Sequence, residues 1–132
     1  MMFTPAELDY LRGQRLGRLS TIGPDGSPQT KPVGFVVDES AGTIDVAGRA
    51  NPSTQKWRNI ARDGRVSFLV DDVAPGGGWN PRVLEVRGTA ELLPDERPDG
   101  AFRGAAPGVI RIRPRRIVVF GIEPDGPGSR SV

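Results

Sequence analysis

Glycine and proline interrupt this sequence throughout its length, with 18 glycines and 13 prolines among 132 residues. Glycine permits backbone angles that other residues avoid, and proline fixes its own, so both are typical of tight turns. Their combined fraction lies just below the level at which low-complexity sequence becomes the default. We therefore expect short elements joined by many turns, in a chain long enough for one compact core but not for two.

The segments between the turns alternate apolar and polar side chains, as half-buried strands do. Strands are predicted over residues 16–22, 29–37, 43–47, 65–71, 82–93, 110–113 and 117–122, the last two joined at Pro114. The first three are expected in meander order. Loops are expected at 72–81 and 94–108, and a disordered tail at 124–132.

Two helices are predicted by their capping residues. Residues 4–7 (Thr-Pro-Ala-Glu) form a helix N-terminus with a capping box, and Gly13 is expected to end that helix. A second helix is predicted over residues 52–63, with Gly64 as a left-handed stop. Short strands without crossover helices favour an antiparallel barrel over a doubly wound sheet, in a single domain over residues 1–123.

The sequence contains neither histidine nor cysteine. This excludes Cys/His zinc sites, thiol nucleophiles, disulfides and imidazole general bases. Redox chemistry with a bound cofactor fits this composition, because the cofactor carries the reactivity and the protein supplies binding and orientation. Binding without catalysis fits equally well. No apolar stretch is long enough to span a membrane and no signal-peptide pattern opens the chain, so we expect a soluble, cytoplasmic protein.

The charges are nearly balanced, with 18 Lys and Arg against 16 Asp and Glu and a formal net charge of +2. This excess is far below that of a dedicated nucleic-acid-binding protein. The densest basic cluster, Arg111–Arg116, includes isoleucine in alternation, so we interpret its arginines as the solvated face of a strand rather than a phosphate site. No nucleic-acid or membrane partner is expected.

The segment most suggestive of chemistry covers residues 47–59, where the chain leaves a strand through a glycine and enters the second helix. Amides at a helix N-terminus attract anions. The segment adds hydroxyl donors and cations, namely Arg49, Ser53, Thr54, Lys56 and Arg58. This set is typical of a phosphate site. The alternative is that the two hydroxyl residues only cap the helix while Lys56 and Arg58 lie solvated on its surface.

Lys31, Pro32, Val33 and Gly34 lie in the second predicted strand. Pro28 and Pro32 lack the N–H that a central strand donates, so this strand is predicted to lie at a sheet edge or to be distorted. Its unpaired backbone groups would suit a flat heteroaromatic ring, and a plain edge strand explains the pattern equally well.

In their order along the chain, several motifs resemble those of the pyridoxamine-phosphate-oxidase-like split-barrel proteins, and among these the actinobacterial deazaflavin branch. The motifs cover residues 14–29, 31–35, 48–49, 54–59, 65–72, 85–91 and 110–118. The resemblance implies a mainly β, FMN-binding-type split β-barrel, antiparallel and Greek-key-like, with two short helices. It also implies a homodimer whose cofactor lies in a groove at the subunit interface.

The same resemblance assigns roles to residues. It implies that Arg49, Ser53, Thr54, Lys56 and Arg58 hold the phosphate of coenzyme F420 or FMN, and that Lys31, Pro32, Val33 and Gly34 run along the ring. The expected function is hydride transfer from reduced F420 to a small unsaturated or quinone-like electrophile. A non-catalytic F420 carrier and an FMN-dependent oxidoreductase are the alternatives. No catalytic residue or metal ligand is assigned, and the lack of histidine argues against oxidation of pyridoxamine phosphate itself.

Overall fold

The computed structural model describes residues 2–97 and 104–132. The helices are α1 (Pro5–Arg12) and α2 (Gln55–Arg62), and a single 3-10 turn (Asn51–Ser53) precedes α2. The strands are β1 (Gly17–Ile22), β2 (Pro28–Val33), β3 (Phe35–Asp38), β4 (Thr43–Val46), β5 (Arg65–Val73), β6 (Pro81–Leu93), β7 (Val109–Phe120) and β8 (Arg130–Ser131). The predicted loop at 94–108 lies partly outside the described residues.

The strands form one antiparallel sheet in the order β2-β1-β5-β6-β7-β4-β3, with β8 added to β7. The strands at the two ends of this order, β2 and β3, are separated in the chain by Gly34 alone. One residue spans only a few ångströms, so the sheet has to curl until its two ends approach each other. This confirms the expected fold class, an antiparallel split β-barrel with two short helices.

The predicted meander of the first three strands is wrong. The strand expected over 29–37 is two strands, because the chain crosses at Gly34 from one end of the sheet to the other. Val33 still pairs with β1, whereas Phe35 pairs with Val46 of β4. Val33 and Phe35 are both apolar and lie two positions apart, as on one face of a single strand, so the sequence pattern does not reveal the crossing.

The two strands predicted on either side of Pro114 are one strand, β7. A β-bulge accommodates the proline. Arg87 of β6 lies opposite Arg116 and Gly88 lies opposite Pro114, which leaves Arg115 as the extra residue. Gly88 is needed here because a Cβ atom would lie 2.1 Å from a carbonyl oxygen of β7.

The second helix is shorter than predicted. Thr54 is its N-cap and Gln55 its first residue, while Asn51–Ser53 forms the separate 3-10 turn. The left-handed stop predicted at Gly64 is also wrong. The helix ends through Asp63, whose backbone is extended, and Gly64 does not have a positive φ.

The helix α1 begins as predicted, with a capping box between Thr4 and Glu7. Glu7 is buried, and its carboxylate accepts hydrogen bonds from Arg130 at 2.7 and 3.0 Å. Arg130 belongs to β8, which pairs with β7. The disordered tail predicted over 124–132 is therefore wrong for its last residues, because a buried carboxylate holds this arginine in place.

The core fills the inside of the curled sheet and is covered by both helices. Its fully buried side chains include Phe3, Leu11, Leu19, Ile44, Phe68, Leu84, Ile110, Ile112 and Ile117. The connection between β5 and β6 covers only residues 74–80, shorter than the predicted loop, and it leaves Trp79 81% exposed. Within residues 2–97 and 104–132, no helix combines the length and the apolar character that crossing a membrane requires.

Candidate anion-binding site

The predicted ring-lining segment belongs to β2, at one end of the sheet. In the described part of the chain β2 pairs only with β1, which confirms the edge position predicted from Pro28 and Pro32. Lys31 and Pro32 are exposed, but the side chain of Val33 is buried in the core. Val33 can therefore offer a ligand only its backbone.

The hydroxyl of Thr54 is occupied at the start of α2. Its Oγ1 donates to the carbonyl oxygen of Asn51 at 2.6 Å and accepts from the N–H of Trp57 at 3.4 Å. The capping interpretation therefore holds for Thr54. The N–H groups of Gln55 and Lys56 precede the first intrahelical hydrogen bond, and with the helix dipole they make this end of α2 positive.

Arg58 adds a cation to the same end of the helix. Its side chain turns back, so that Nη1 donates to the carbonyl oxygen of Ser53 at 3.1 Å and Nη2 to Oε1 of Gln55 at 3.0 Å. Both acceptors are uncharged, so they orient the guanidinium without neutralising it. Ser53 is exposed beside it. The structure thus brings Ser53 and Arg58 together at the start of α2.

The only two lysines of the sequence are neighbours, and we call Lys31 of β2 and Lys56 of α2 the lysine pair. The pKa of Lys56 is lowered, first by its partial burial and then by the positive charge of Lys31. In residues 2–97 and 104–132, neither lysine forms an ion pair with a carboxylate. Two cations without a counter-ion, next to a helix N-terminus, suit an anion such as phosphate.

Arg49 lies in the connection between β4 and the 3-10 turn, where its side chain is exposed. This connection is fixed to the segment before β7. The N–H of Ala106 donates to the carbonyl oxygen of Gly48 at 3.0 Å, and the buried Nδ2 of Asn51 donates to that of Gly108 at 3.1 Å. The role of Arg49 toward a phosphate stays a prediction.

Sequence reasoning missed the role of Asn59, which lies on the buried side of α2. Its side chain is fully buried, and Nδ2 donates to Oγ1 of Thr21 at 3.0 Å and to Oε1 of Gln29 at 2.9 Å. One amide thus ties α2 to both β1 and β2. The only sequence signal was a short amide side chain directly before the buried Ile60.

Two arginines in the basic stretch of β7, Arg111 and Arg113, differ from the lysine pair because they have carboxylate partners. Arg111 makes two hydrogen bonds of 2.9 Å to Asp45 and one of 2.7 Å to Glu96. Arg113 pairs with Glu91 at 3.4 Å. This agrees with the interpretation of the stretch as a strand face.

A cavity of about 570 Å³ lies across β5, β6 and β7. Its lining consists of Arg65, Val66, Ser67, Glu85, Arg87, Gly88, Thr89, Arg115 and Arg116. None of these residues belongs to the predicted coenzyme site. Two of the arginines are paired with carboxylates, Arg65 with Asp63 and Arg87 with Glu85. The other two, Arg115 and Arg116, have no carboxylate partner in the described residues. The lysine pair is the better candidate for an anion because it adjoins the N-terminus of α2, which the cavity does not.

Comparison with known proteins identifies the family of the chain. Residues 3–124 match the family model described as pyridoxamine 5'-phosphate oxidase. A 5a,11a-dehydrotetracycline/5a,11a-dehydrooxytetracycline reductase from Streptomyces rimosus is 44% identical over 129 residues, which cover 95% of this chain and 87% of that protein.

Solved structures agree with this match. The conserved hypothetical protein Rv2991 from Mycobacterium tuberculosis is 28% identical with a TM-score of 0.70, over 98% of this chain and 92% of that one. An F420 reductase is 25% identical with a TM-score of 0.62, over 86% of this chain and 98% of that one. Two of these three relatives are reductases, which confirms the expected enzyme class, an oxidoreductase. The chain therefore belongs to the pyridoxamine 5'-phosphate oxidase family of split β-barrel proteins.

Proposed function

We propose that this protein is a cytoplasmic, F420-dependent oxidoreductase that transfers hydride between the reduced coenzyme and a small electrophilic substrate. The observation that carries the proposal is the lysine pair, two cations beside the positive end of α2 without a carboxylate partner in the described part of the chain. The similarity to an F420 reductase supports the choice of coenzyme.

The residues of the site suit a phosphorylated coenzyme. Lys56 and Arg58, together with the first amides of α2 and the hydroxyl of Ser53, would hold the phosphate, because charged donors bind phosphate most strongly. Residues 31–34 of the exposed sheet edge would lie along the ring. The bound coenzyme supplies the hydride chemistry. The chain supplies position, since holding reacting atoms about 3 to 3.5 Å apart lowers the barrier by several kcal/mol.

We propose a substrate with an electron-poor double bond, conjugated to a carbonyl group or part of a quinone. The relative from Streptomyces rimosus reduces a dehydro compound by name, which supports an unsaturated carbon framework here. The sequence has no histidine or cysteine. In this proposal the proton that completes the reduction therefore comes from water.

The proposal places the coenzyme at the interface of a homodimer. Lys31 and Pro32 are exposed on an open sheet edge, so one subunit covers only one side of a flat ring. A second copy of the chain would cover the other side. Exclusion of water by that copy would strengthen the electrostatic interactions within the groove.

The proposal is tested by titrating F420 and FMN side by side into the wild type and Lys56→Ala. We expect F420 to bind more tightly than FMN. Lys56→Ala should weaken F420 binding about tenfold to a hundredfold, because a hydrogen bond to a charged group contributes about 1.5 to 3 kcal/mol. Arg12→Ala removes an exposed cation of α1 and is the matched control, which should leave the affinity unchanged.

Three results would change the proposal. Equal F420 affinities of the wild type and Lys56→Ala would remove the lysine pair from the site. Tighter binding of FMN would favour an FMN-dependent oxidoreductase. Tight F420 binding without reduction of any member of a panel of enones and quinones would favour a carrier of the coenzyme.

A further inference from the structure

Asn59 uses the full hydrogen-bonding capacity of its amide inside the protein. Its two Nδ2 hydrogens go to Thr21 and Gln29, and its Oδ1 accepts from Nε2 of Gln55 at 2.8 Å and from Nη2 of Arg62 at 3.5 Å. The side chain is 0% exposed. A buried amide with partners on several elements fixes their relative position, because a broken bond leaves a polar group unsatisfied away from water.

This anchor lies next to the lysine pair on both elements. On β2, Gln29 and Lys31 are two residues apart and therefore share a face of the strand. On α2, Lys56 and Asn59 are three residues apart and therefore share a side of the helix. The hydrogen bond between Gln29 and Asn59 therefore joins the strand and the helix that carry the two lysines, whose charges act on each other.

We propose that Asn59 and Gln29 are positioning residues that hold Lys56 beside Lys31 against the mutual repulsion of their charges. The ligand assigned to the site rests on the proposed function, but the positioning does not. An anchor is needed because two ammonium groups repel each other.

The chemistry of the anchor suits an anion site because both amides are neutral. A carboxylate in the place of either amide would also attract α2 to β2, but it would neutralise a lysine and repel phosphate. The hydrogen bond between Gln29 and Asn59 supplies attraction without a competing negative charge. The two cations are thus left together for an external anion.

The experiment is the variant Gln29→Met, which removes the acceptor and nearly preserves the side-chain length at a half-buried position of an edge strand. Because the sequence has only two lysines, selective 13C labelling of lysine gives two side-chain signals that can be titrated separately by NMR. We expect the lowered pKa of Lys56 to rise in Gln29→Met, as α2 moves away from β2. F420 affinity should fall about fivefold, the effect of one lost hydrogen bond.

Thr30→Val is the matched control on the same strand. The Thr30 hydroxyl lies 2.8 Å from Oγ of Ser20, so this variant also removes a hydrogen bond, but on the opposite face of β2 and away from α2. It should leave the Lys56 titration and the F420 affinity at their wild-type values. Asn59 itself is left intact, because its loss would also leave the buried Thr21 without its partner.

The outcomes separate the two ideas. An unchanged Lys56 titration in Gln29→Met would overturn the positioning role. A shifted titration with unchanged F420 affinity would overturn the link between the anchor and binding. A shifted titration in a protein whose wild type binds neither F420 nor FMN would support the positioning role and reject the proposed function.

Discussion

Two sets of cations in this chain differ in whether they have carboxylate partners. On β7 and β8, Arg111 is paired with Asp45, and Arg130 with the buried Glu7. The lysine pair has no carboxylate partner in the described residues. Arg111 and Arg130 carry as much positive charge as the lysine pair, yet of these two sets only the lysine pair has charge available to an external anion.

This difference teaches that the density of cations in a sequence does not locate an anion site. An arginine that already donates both arms of its guanidinium to a carboxylate has to break that pair before it can bind another anion. The charge left after internal pairing is what matters. That remainder depends on the fold, since Asp45 lies 66 positions from Arg111 and Glu7 lies 123 positions from Arg130.

The largest effect should follow from breaking a pair on the paired side of the comparison. Arg130→Ala leaves the carboxylate of Glu7, whose side chain is 2% exposed, without its cation. Because removal of one partner from a buried ion pair costs about 3 to 5 kcal/mol, urea denaturation should show a free energy of unfolding about 3 kcal/mol lower. F420 affinity should be unchanged.

Arg12→Ala is the control for this prediction. It breaks the pair with Glu39, in which both side chains are about half exposed, and exposed pairs contribute only about 0 to 1 kcal/mol. If both variants lost the same small amount of stability, the buried pair would not be what holds the end of the chain to α1.

The elements of this fold could be predicted from the sequence, but not all of their pairings. Caps and turns are local, so α1 and the β1–β2 hairpin follow from a few adjacent residues. The crossing at Gly34 could not be found, since Val33 and Phe35 continue one alternating pattern while they pair with different strands. The strand β8 could not be predicted for another reason. It is two residues long, and Arg130 is held by a residue at the other end of the chain.

The residues of the candidate site could be named from the sequence, but which of them lie close together could not. Local motifs and the family resemblance pointed to Lys31 and Lys56. In our proposal their proximity depends on Asn59, whose partners Thr21 and Gln29 lie 38 and 30 positions away. No local pattern specifies those distances. The same is true of counter-ions, because the sequence shows where the carboxylates are but not which cation each one meets.

Acid should affect paired cations and the lysine pair differently, because it removes the charge of carboxylates and leaves that of lysines. The carboxylate of Asp72 accepts hydrogen bonds from Arg82, Tyr10 and Gln14. The bond from Arg82 is the largest cause that lowers the pKa of Asp72, to about 2. A carboxyl group with a lowered pKa stabilises the fold above its unfolded pKa of about 4, and this contribution is lost as the pH falls through the folded value.

The urea midpoint of the wild type should therefore decrease between about pH 4 and pH 2. Asp72→Asn should be less stable than the wild type at neutral pH, and its midpoint should decrease less steeply over that range. Identical slopes for the two proteins would assign the acid sensitivity to other carboxylates. Acid does not discharge the lysine pair, so binding of inorganic phosphate by the folded variant at pH 5 should match that of the wild type.

The smallest expected effect distinguishes the contribution of Lys31 to binding from that of Lys56. Lys31→Met removes the charge that, after burial, lowers the pKa of Lys56, so the pKa of Lys56 should rise in this variant. One cation is lost, but the remaining ammonium no longer faces a like charge. F420 affinity should therefore fall only about threefold, less than in Lys56→Ala.

The pH dependence of F420 binding tests whether the charge of Lys31 lowers the pKa of Lys56. An ammonium binds phosphate only while it is protonated, so wild-type affinity should decrease as the pH rises through the lowered pKa of Lys56. In Lys31→Met the same decrease should occur at a higher pH, which calorimetric F420 titrations at increasing alkaline pH would detect. If the decrease stayed at the same pH, the charge of Lys31 would not act on Lys56. The two lysines would then be separate surface cations, and their contrast with the paired Arg111 and Arg130 would no longer support an anion site.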